Sequence, residues 1–356
     1  MAFRFDTQES FLKAIPRIAR ERIDRVIESL REKPRPSAEA IHDARKNLKS
    51  LRALLRLARG SIDDQTRLRE NILFRNAGRS LSAIRDPQAL LEALEYFSNR
   101  HNSNSGPLTP KQELSLAFVQ KTRREIERNL VDGLSPGDLR KLLRELRDAR
   151  RRTAQWCADV LIQQGDEWEV FIGNGLRRTY RKAKNLVWQF EVIGHGTADD
   201  KACHELRKCA KALGYQLRLL KSIWPGMMNA LVDEIDQLTD RLGDANDLSI
   251  LRGKIMNEPY RSLETQEAEE TRRFFLQALD RRKQYLHSES FNLARLIYVE
   301  KPRQFERRLA GYCQIWRSQN QVKIISNPGN IDAQSGRPRR AGQRTKQEAL
   351  ASSPCD

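Results

Sequence analysis

One sixteen-residue pattern occurs twice in this chain. Residues 42–57 read HDARKNLKSLRALLRL and residues 204–219 read HELRKCAKALGYQLRL, and a shift of 162 residues, from 42 to 204, aligns eight identical residues. The identical residues are leucines and a series of the form His-x-x-Arg-Lys-x-x-Lys. A repeat of this spacing predicts two related halves that pack together.

The repeated basic residues share one side of a helix. At about 100° per residue, the positions from His42 to Arg56 that match fall within a sector of about 100°, and the leucines fall on the opposite side. We call these sets the first basic stripe (His42, Arg45, Lys46, Lys49, Arg52, Arg56) and the second basic stripe (His204, Arg207, Lys208, Lys211, Arg218). Gly214 stands in the second repeat where the first has Arg52.

The net charge predicts an anionic partner. Among 356 residues, 65 Lys and Arg outnumber 47 Asp and Glu, for a formal charge of +18. Such a charge attracts polyanions over a long range. No apolar run approaches the roughly 20 residues that cross a bilayer, and the N-terminus lacks a signal-peptide pattern. These features predict a soluble, cytoplasmic protein.

The cysteines predict neither a disulfide framework nor a metal site. There are five, at 157, 203, 209, 313 and 355, without a CxxC motif or histidines at zinc-ligand spacing. An odd number of this kind indicates reduced thiols. Cys203 precedes His204, but Ile41 stands at the matching place in the first half. We therefore predict no cysteine nucleophile, no metal and no cofactor.

The whole chain to about residue 317 is expected to be helical, because no stretch alternates with period two and good helix formers dominate. The first half, about 1–163, has predicted helices near 7–31, 38–59, 63–84, 87–100, 110–130 and 136–163. The second half, about 164–317, has predicted helices near 166–193, 198–222, 225–241, 245–257, 260–287 and 289–317. Residues 318–356 are rich in Gly, Pro, Ser, Asn and Gln, which predicts a disordered basic tail.

An acidic marker follows each repeat by about forty residues, IRDPQAL at 84–90 and LGDANDL at 242–248. Asp86 before Pro87, and Asp244 with Asp247 at the third following position, have the pattern of helix N-caps. Two other roles stay open for these carboxylates, as metal ligands or as anchors for basic side chains. Thr197 and Asp200 similarly form a capping-box pattern.

Basic residues also flank the repeats. The segment LRRTYRKAK at 176–184 contains Arg178, Arg181 and Lys184, and PRIARER at 16–22 is a weaker counterpart with Arg17 and Arg20. We count these five as candidate anion ligands too.

A charged helical face is most often only a solvated face. Here, however, Asp43 and Glu205 are the only acids between the histidine and the last arginine of each stripe. Like charges three and four residues apart destabilise a helix by a few tenths of a kcal/mol per pair, roughly. A cost that is not offset within the helix indicates a bound anion.

The two repeats and their acidic markers resemble the half-signatures of the CHAD domain, the conserved histidine α-helical domain, over about residues 5–317. The resemblance implies two antiparallel four-helix bundles related by a pseudo-twofold axis, with basic faces at a central groove or pore. It also implies noncatalytic binding of inorganic polyphosphate, in some relatives at polyphosphate granules. Many relatives carry a CYTH domain with an ExExK strand, a motif that this sequence lacks.

Two other functions fit parts of the sequence. A nonspecific nucleic-acid binder would use the same charge, although single-strand binders favour aromatic platforms and only 7% of residues here are aromatic. A metal-dependent phosphohydrolase would use His42, Asp43 and the downstream aspartates, but five histidines in total make a poor ligand set.

Overall fold

The computed structural model describes residues 4–6, 9–31, 36–81, 91, 94, 120, 123–124, 135–158, 167–193, 200–257 and 266–326. The predicted helices at 87–100 and 110–130, except for those few positions, lie outside the described residues. So do Asp86, Thr197 and the tail beyond residue 326.

The first half contains four described helices, each starting where the sequence provides a suitable residue. They are α1 (Phe11–Leu30), α2 (Ala38–Leu57), α3 (Asp64–Ser80) and α4 (Pro136–Arg152). The Ser37 hydroxyl accepts from the Ala40 N–H at 3.1 Å, and the Asp63 carboxylate accepts from the Thr66 N–H at 2.8 Å. Such caps satisfy N–H groups that a helix leaves without partners at its start.

The second half is helical as well. A π-helical turn (Glu169–Gly173) leads into α5 (Asn174–Ile193), followed by α6 (Asp200–Leu219), α7 (Pro225–Asn257), α8 (Gln266–Ile297) and α9 (Pro302–Ser326). The described residues form no strand and contain a single isolated bridge, between Arg59 and Ile62. The prediction of an all-α fold is confirmed.

The helices form two groups whose neighbours correspond. In the first group α1 packs on α2 and α4, and α2 packs on α3; in the second, α5 packs on α6 and α8, and α6 packs on α7. The leucine side of each repeat lies in the core, with Leu48, Leu51 and Leu55 at most 1% exposed. The pseudo-twofold relation between the groups stays a prediction.

The two groups meet through α2, which contacts both α5 and α6. The buried Gln216 amide on α6 donates to the Ala53 carbonyl of α2 at 3.4 Å and to the Thr179 hydroxyl of α5 at 3.1 Å. Near the start of α5, a Cβ on Gly175 would lie 1.9 Å from the Leu57 carbonyl oxygen. Only glycine permits this approach of α5 to the end of α2.

Several predicted helix boundaries were wrong. Residues 241–245 do not break a helix, because α7 runs from Pro225 to Asn257. The predicted break near 288 lies instead at residues 298–301, before α9. Pro302 explains its position, since proline is favoured at the first turn of a helix and disfavours a helical conformation in the residue before it.

The ends of two other helices also differ from prediction. Helix α4 stops at Arg152, followed by a 3₁₀ turn and by Cys157 with a φ of 64°. A left-handed residue cannot continue a right-handed helix. Helix α9 passes its predicted end at 317 and reaches Ser326, because no Gly or Pro occurs between residue 317 and Pro328.

Residues 1–316 form one compact unit, and residues 317–356 form a second one. In the second unit the described residues, 317–326, are helical. Cys157, Cys203, Cys209 and Cys313 are buried free thiols, as predicted for them. Within the described ranges, no helix has the length and apolar character needed to cross a membrane.

Substituting Gly175 should disrupt the junction between the two groups. We expect Gly175→Ala to lower the free energy of unfolding by about 3 kcal/mol or more, because the new methyl group would overlap the α2 backbone. At Gly311, in α9, a Cβ would meet nothing within 4 Å. Gly311→Ala should therefore be neutral or stabilise by about 0.5–1 kcal/mol. Chemical denaturation measures the free energy of unfolding of both variants. Equal values would contradict the close approach of α5 to the end of α2.

Candidate anion-binding site

The basic stripes lie on the helices that join the two groups, α2 and α6. His42, Lys46 and Lys49 are exposed on α2, whereas Arg45, Arg52 and Arg56 are partly buried. On α6, His204 and Lys208 are exposed and the other three residues of the second stripe are partly buried. Because α2 contacts α6, both stripes are carried by one helix pair.

The first stripe continues onto α3. The Arg52 Nε donates to the Asn71 Oδ1 at 3.2 Å. Burial lowers the pKa of Arg52, and the positive charges of Arg56, Arg75 and Arg79 lower it further. We call these four residues the α2–α3 arginine cluster. It concentrates positive charge at the C-terminal part of the first stripe.

Sequence reasoning missed Arg75 and Arg79, although a signal was present. Asn71, Arg75 and Arg79 are spaced by four residues in RENILFRNAGRS, so they share one face of α3. Glu70, the buried acid beside Asn71, is held by Arg152 of α4, whose Nε lies 2.6 Å from its carboxylate.

The N-terminal part of the first stripe borders a groove between α1 and α2. Its volume is about 1210 Å³, and Lys46 shares its walls with Arg22 and Arg25 but also with Asp24 and Asp43. The Arg22 Nη1 donates to the Asn47 Oδ1 at 2.9 Å. Burial, with help from Arg25, lowers the pKa of Arg22 to about 10. This end of the stripe therefore carries charges of both signs.

The second stripe faces acids on α7. The Arg207 Nε donates to the Thr239 carbonyl at 3.1 Å, and Arg218 forms an ion pair with Asp236. Burial and the charge of Arg207 lower the pKa of Lys211 to about 8, a shift that Asp240 and Asp236 partly oppose. The interpretation that the stripes lack compensating acids was therefore wrong for the second stripe, because the acids come from another helix.

Asp244 is not an N-cap. It lies inside α7, where burial, and then the charges of Asp247 and Asp240, raise its pKa. Arg282 and Arg207 oppose that shift. The capping prediction failed because the sequence signal for a cap is only a polar residue before an apolar run, which also occurs within helices.

Basic side chains of α5 and α6 meet at Glu205, one turn before Cys209 on α6. The Glu205 carboxylate bridges Lys208, at 2.7 Å, and Lys182 of α5, at 2.9 Å. Both lysines lower the pKa of Glu205, to about 2. Burial raises the pKa of Cys209, and the charges of Lys182 and of Arg56 oppose the rise. Arg56 from the first stripe and Lys182, which sequence reasoning missed, therefore both lie close enough to Cys209 to affect its pKa.

The flanking candidates differ in their surroundings. Arg17 pairs with Glu9 at 2.7 Å and with Glu21 at 3.0 Å. The Lys184 ammonium donates to the carbonyls of Tyr298 and Val299 after α8, at 2.8 and 3.0 Å. These contacts already occupy both side chains.

The other three flanking residues, Arg20, Arg178 and Arg181, are exposed. Arg178 lies close enough to the start of α3 to lower the pKa of Asp64, after the larger effect of Arg67. Arg178 of α5 therefore lies near the first group, to which Arg20 itself belongs as a residue of α1.

A metal centre finds no support in the described part of the chain. There, no group of three or more His, Cys, Asp or Glu side chains is arranged to hold a metal ion. His204 is exposed and its side chain bonds to Asn246.

Comparison with known proteins agrees with this arrangement. The CHAD domain family matches residues 13–255, from α1 to the end of α7. The chain belongs to the CHAD domain family. Both stripes, the α2–α3 arginine cluster and the acids of α7 lie within the matched range. A comparison with curated proteins finds no match.

A solved structure shares the fold. The crystal structure of the CHAD domain from the plant Ricinus communis matches with a TM-score of 0.50 at 18% sequence identity. The match covers 84% of this chain and 94% of the plant chain. The CHAD fold therefore extends beyond the range of the family match.

The corrected position of Asp244 changes the expected effect of substituting it. A carboxylate whose pKa is raised by folding destabilises the protein once it is ionised, so Asp244→Ala should leave the free energy of unfolding unchanged or raise it at pH 7. Asp63→Ala should lower it by about 1 kcal/mol, because Asp63 caps α3. Urea denaturation of both variants measures the difference, and an equal loss of stability in the two variants would contradict the expected effect at Asp244.

Proposed function

We propose that this protein binds inorganic polyphosphate without catalysing a reaction on it, through the surface formed by the two stripes. The observation that carries the proposal is that the two stripes lie on one contacting helix pair, α2 and α6, where Glu205 also joins Lys208 to Lys182 of α5. Membership of the CHAD family supports the same ligand. A cytoplasmic location at polyphosphate granules belongs to this proposal.

The chemistry of the ligand matches the residues. Polyphosphate carries roughly one charge per phosphate and has no bases, so arginine forks and lysine point charges are sufficient to bind it. A helix rises about 21 Å between positions 42 and 56. A stripe of that length can contact several consecutive phosphates at once.

A competition experiment at fixed salt tests the ligand. Long-chain polyphosphate should displace a labelled polyphosphate probe at much lower concentration than single-stranded DNA, RNA or orthophosphate. Log affinity should fall linearly and steeply with log salt, because each phosphate contact releases counterions. Equal displacement by orthophosphate would contradict binding along a stripe, and stronger displacement by nucleic acid would favour the nucleic-acid binder.

The noncatalytic part of the proposal has its own test. Polyphosphate length should not change when it is incubated with the pure protein and Mg²⁺ or Mn²⁺. Metal-dependent release of orthophosphate that disappears in His42→Ala would instead support the phosphohydrolase.

The affinity should depend on pH in two steps. Burial, with Lys208 and Arg207, lowers the pKa of His204 below its usual 6.5. A bound anion raises it, so binding takes up a proton and affinity increases as pH falls toward the low pKa of the free protein. Because its pKa is about 8, Lys211 should add a second loss of affinity as pH rises above about 8.

Two variants separate these steps. Replacing His42 and His204 together by Gln should flatten the acidic step and leave the alkaline one, whereas Lys211→Gln should remove the alkaline step. Titration calorimetry in buffers of different ionisation enthalpy measures the proton uptake. Affinity that does not change between pH 8 and pH 6 would contradict a role for the histidines.

A further inference from the structure

The two stripes face helices of opposite charge. In the first group, the Arg52 Nε donates to the Asn71 Oδ1 of α3 at 3.2 Å, and Arg75 and Arg79 follow Asn71 at four-residue spacing on the same face of α3. In the second group, α7 presents Asp236 to Arg218 and Asp236, Asp240 and Asp247 to Lys211. The repeated sequence therefore lies in two different electrostatic environments.

Two glycines allow the side chains of the second stripe to pack closely against α7. A Cβ on Gly243 would lie 2.5 Å from the Arg207 Nη2, so this glycine makes room for the guanidinium that donates to Thr239. A Cβ on Gly214 would lie 3.3 Å from the Arg218 Nη1 and 3.2 Å from the Ile235 Cγ2. Gly214, at the position of Arg52 in the first repeat, thus leaves space beside the Arg218–Asp236 pair.

We propose that the α2–α3 arginine cluster is the principal phosphate-binding surface of this protein, and that Asp236 weakens the contribution of the second stripe by holding Arg218 in an ion pair. This inference rests on the proposed function and adds Arg75, Arg79 and Asp236 to its site. Its ligand is a chain of phosphates, and its consequence is that the two halves bind unequally.

The physical reason is that an incoming anion meets mutually repelling arginines in the first half and an existing ion pair in the second half. Arg52, Arg56, Arg75 and Arg79 repel one another, so an incoming phosphate removes an unfavourable interaction as it forms charge-assisted hydrogen bonds. At Arg218 an incoming phosphate must compete with the carboxylate of Asp236 for the same guanidinium. The same bond therefore adds less affinity in the second half.

The arginines of α3 provide the first test. Arg75→Gln with Arg79→Gln should weaken binding of long-chain polyphosphate about tenfold or more, and should reduce the slope of log affinity against log salt by about 0.7–0.9 per lost contact. The matched control is Arg140→Gln with Arg144→Gln, an exposed pair on α4 with the same spacing and charge change. Equal effects of the two pairs would overturn the assignment of the α2–α3 arginine cluster.

Asp236 provides the second test. Asp236→Asn should raise the affinity for polyphosphate severalfold, because it releases Arg218. Asp233→Asn changes the same charge at an exposed position of α7 and should raise affinity only through the net charge. An equal increase in the two variants would overturn the restraining role of Asp236.

The binding experiments distinguish failure of this inference from failure of the proposed function. If the unmodified protein does not bind long-chain polyphosphate, the proposed function fails. If it binds and the α3 pair behaves like its control, only the present inference fails. Circular dichroism shows whether each variant is folded. If the Arg75→Gln, Arg79→Gln double variant unfolds, the single substitution Arg79→Gln, at an exposed site, is measured in its place.

Discussion

The contact between α2 and α6 holds together the two helices that carry the basic stripes, and the rest of the site is arranged around this helix pair. Two features hold α2 in place. Gly175 allows α5 to approach the Leu57 carbonyl at the end of α2, and the buried Gln216 amide of α6 donates to the Ala53 carbonyl of α2. A buried amide needs such a partner, because leaving it without one costs about 1–3 kcal/mol. The interface thus fixes the register of the two repeats, and the basic residues on their other sides follow from it.

Several basic groups on the stripes and beside them are held at an electrostatic cost. The pKa values of Arg22, Arg52 and Lys211 are all lowered, in each case first by burial. A folded protein gains nothing in stability from such positions. Strongly perturbed groups gathered in one region are typical of functional sites, and a bound polyanion would favour the charged form of each of them.

The periodicity of the repeats was sufficient to predict which side of α2 and α6 is buried, because leucines at helical spacing need a core and lysines do not. It could not predict what faces the stripes. Asp236 and Arg79 reach them from α7 and α3, and such contacts depend on tertiary packing that no local pattern encodes. The predicted break between residues 241 and 245 was wrong for a similar reason, because Gly243 accommodates Arg207, a residue distant in sequence.

The similarity of the two repeats therefore does not imply equal halves. Eight identical positions keep the same backbone and the same buried leucines, yet the charge that each stripe presents also depends on the helix beside it. With Gly214 in place of an arginine and Asp236 opposite Arg218, the second half carries fewer cations and binds them internally. The first half has Arg52 at that position and two more arginines on α3. A change in a neighbouring helix can thus alter the binding strength of one half while the shared core, on which both halves depend, stays the same.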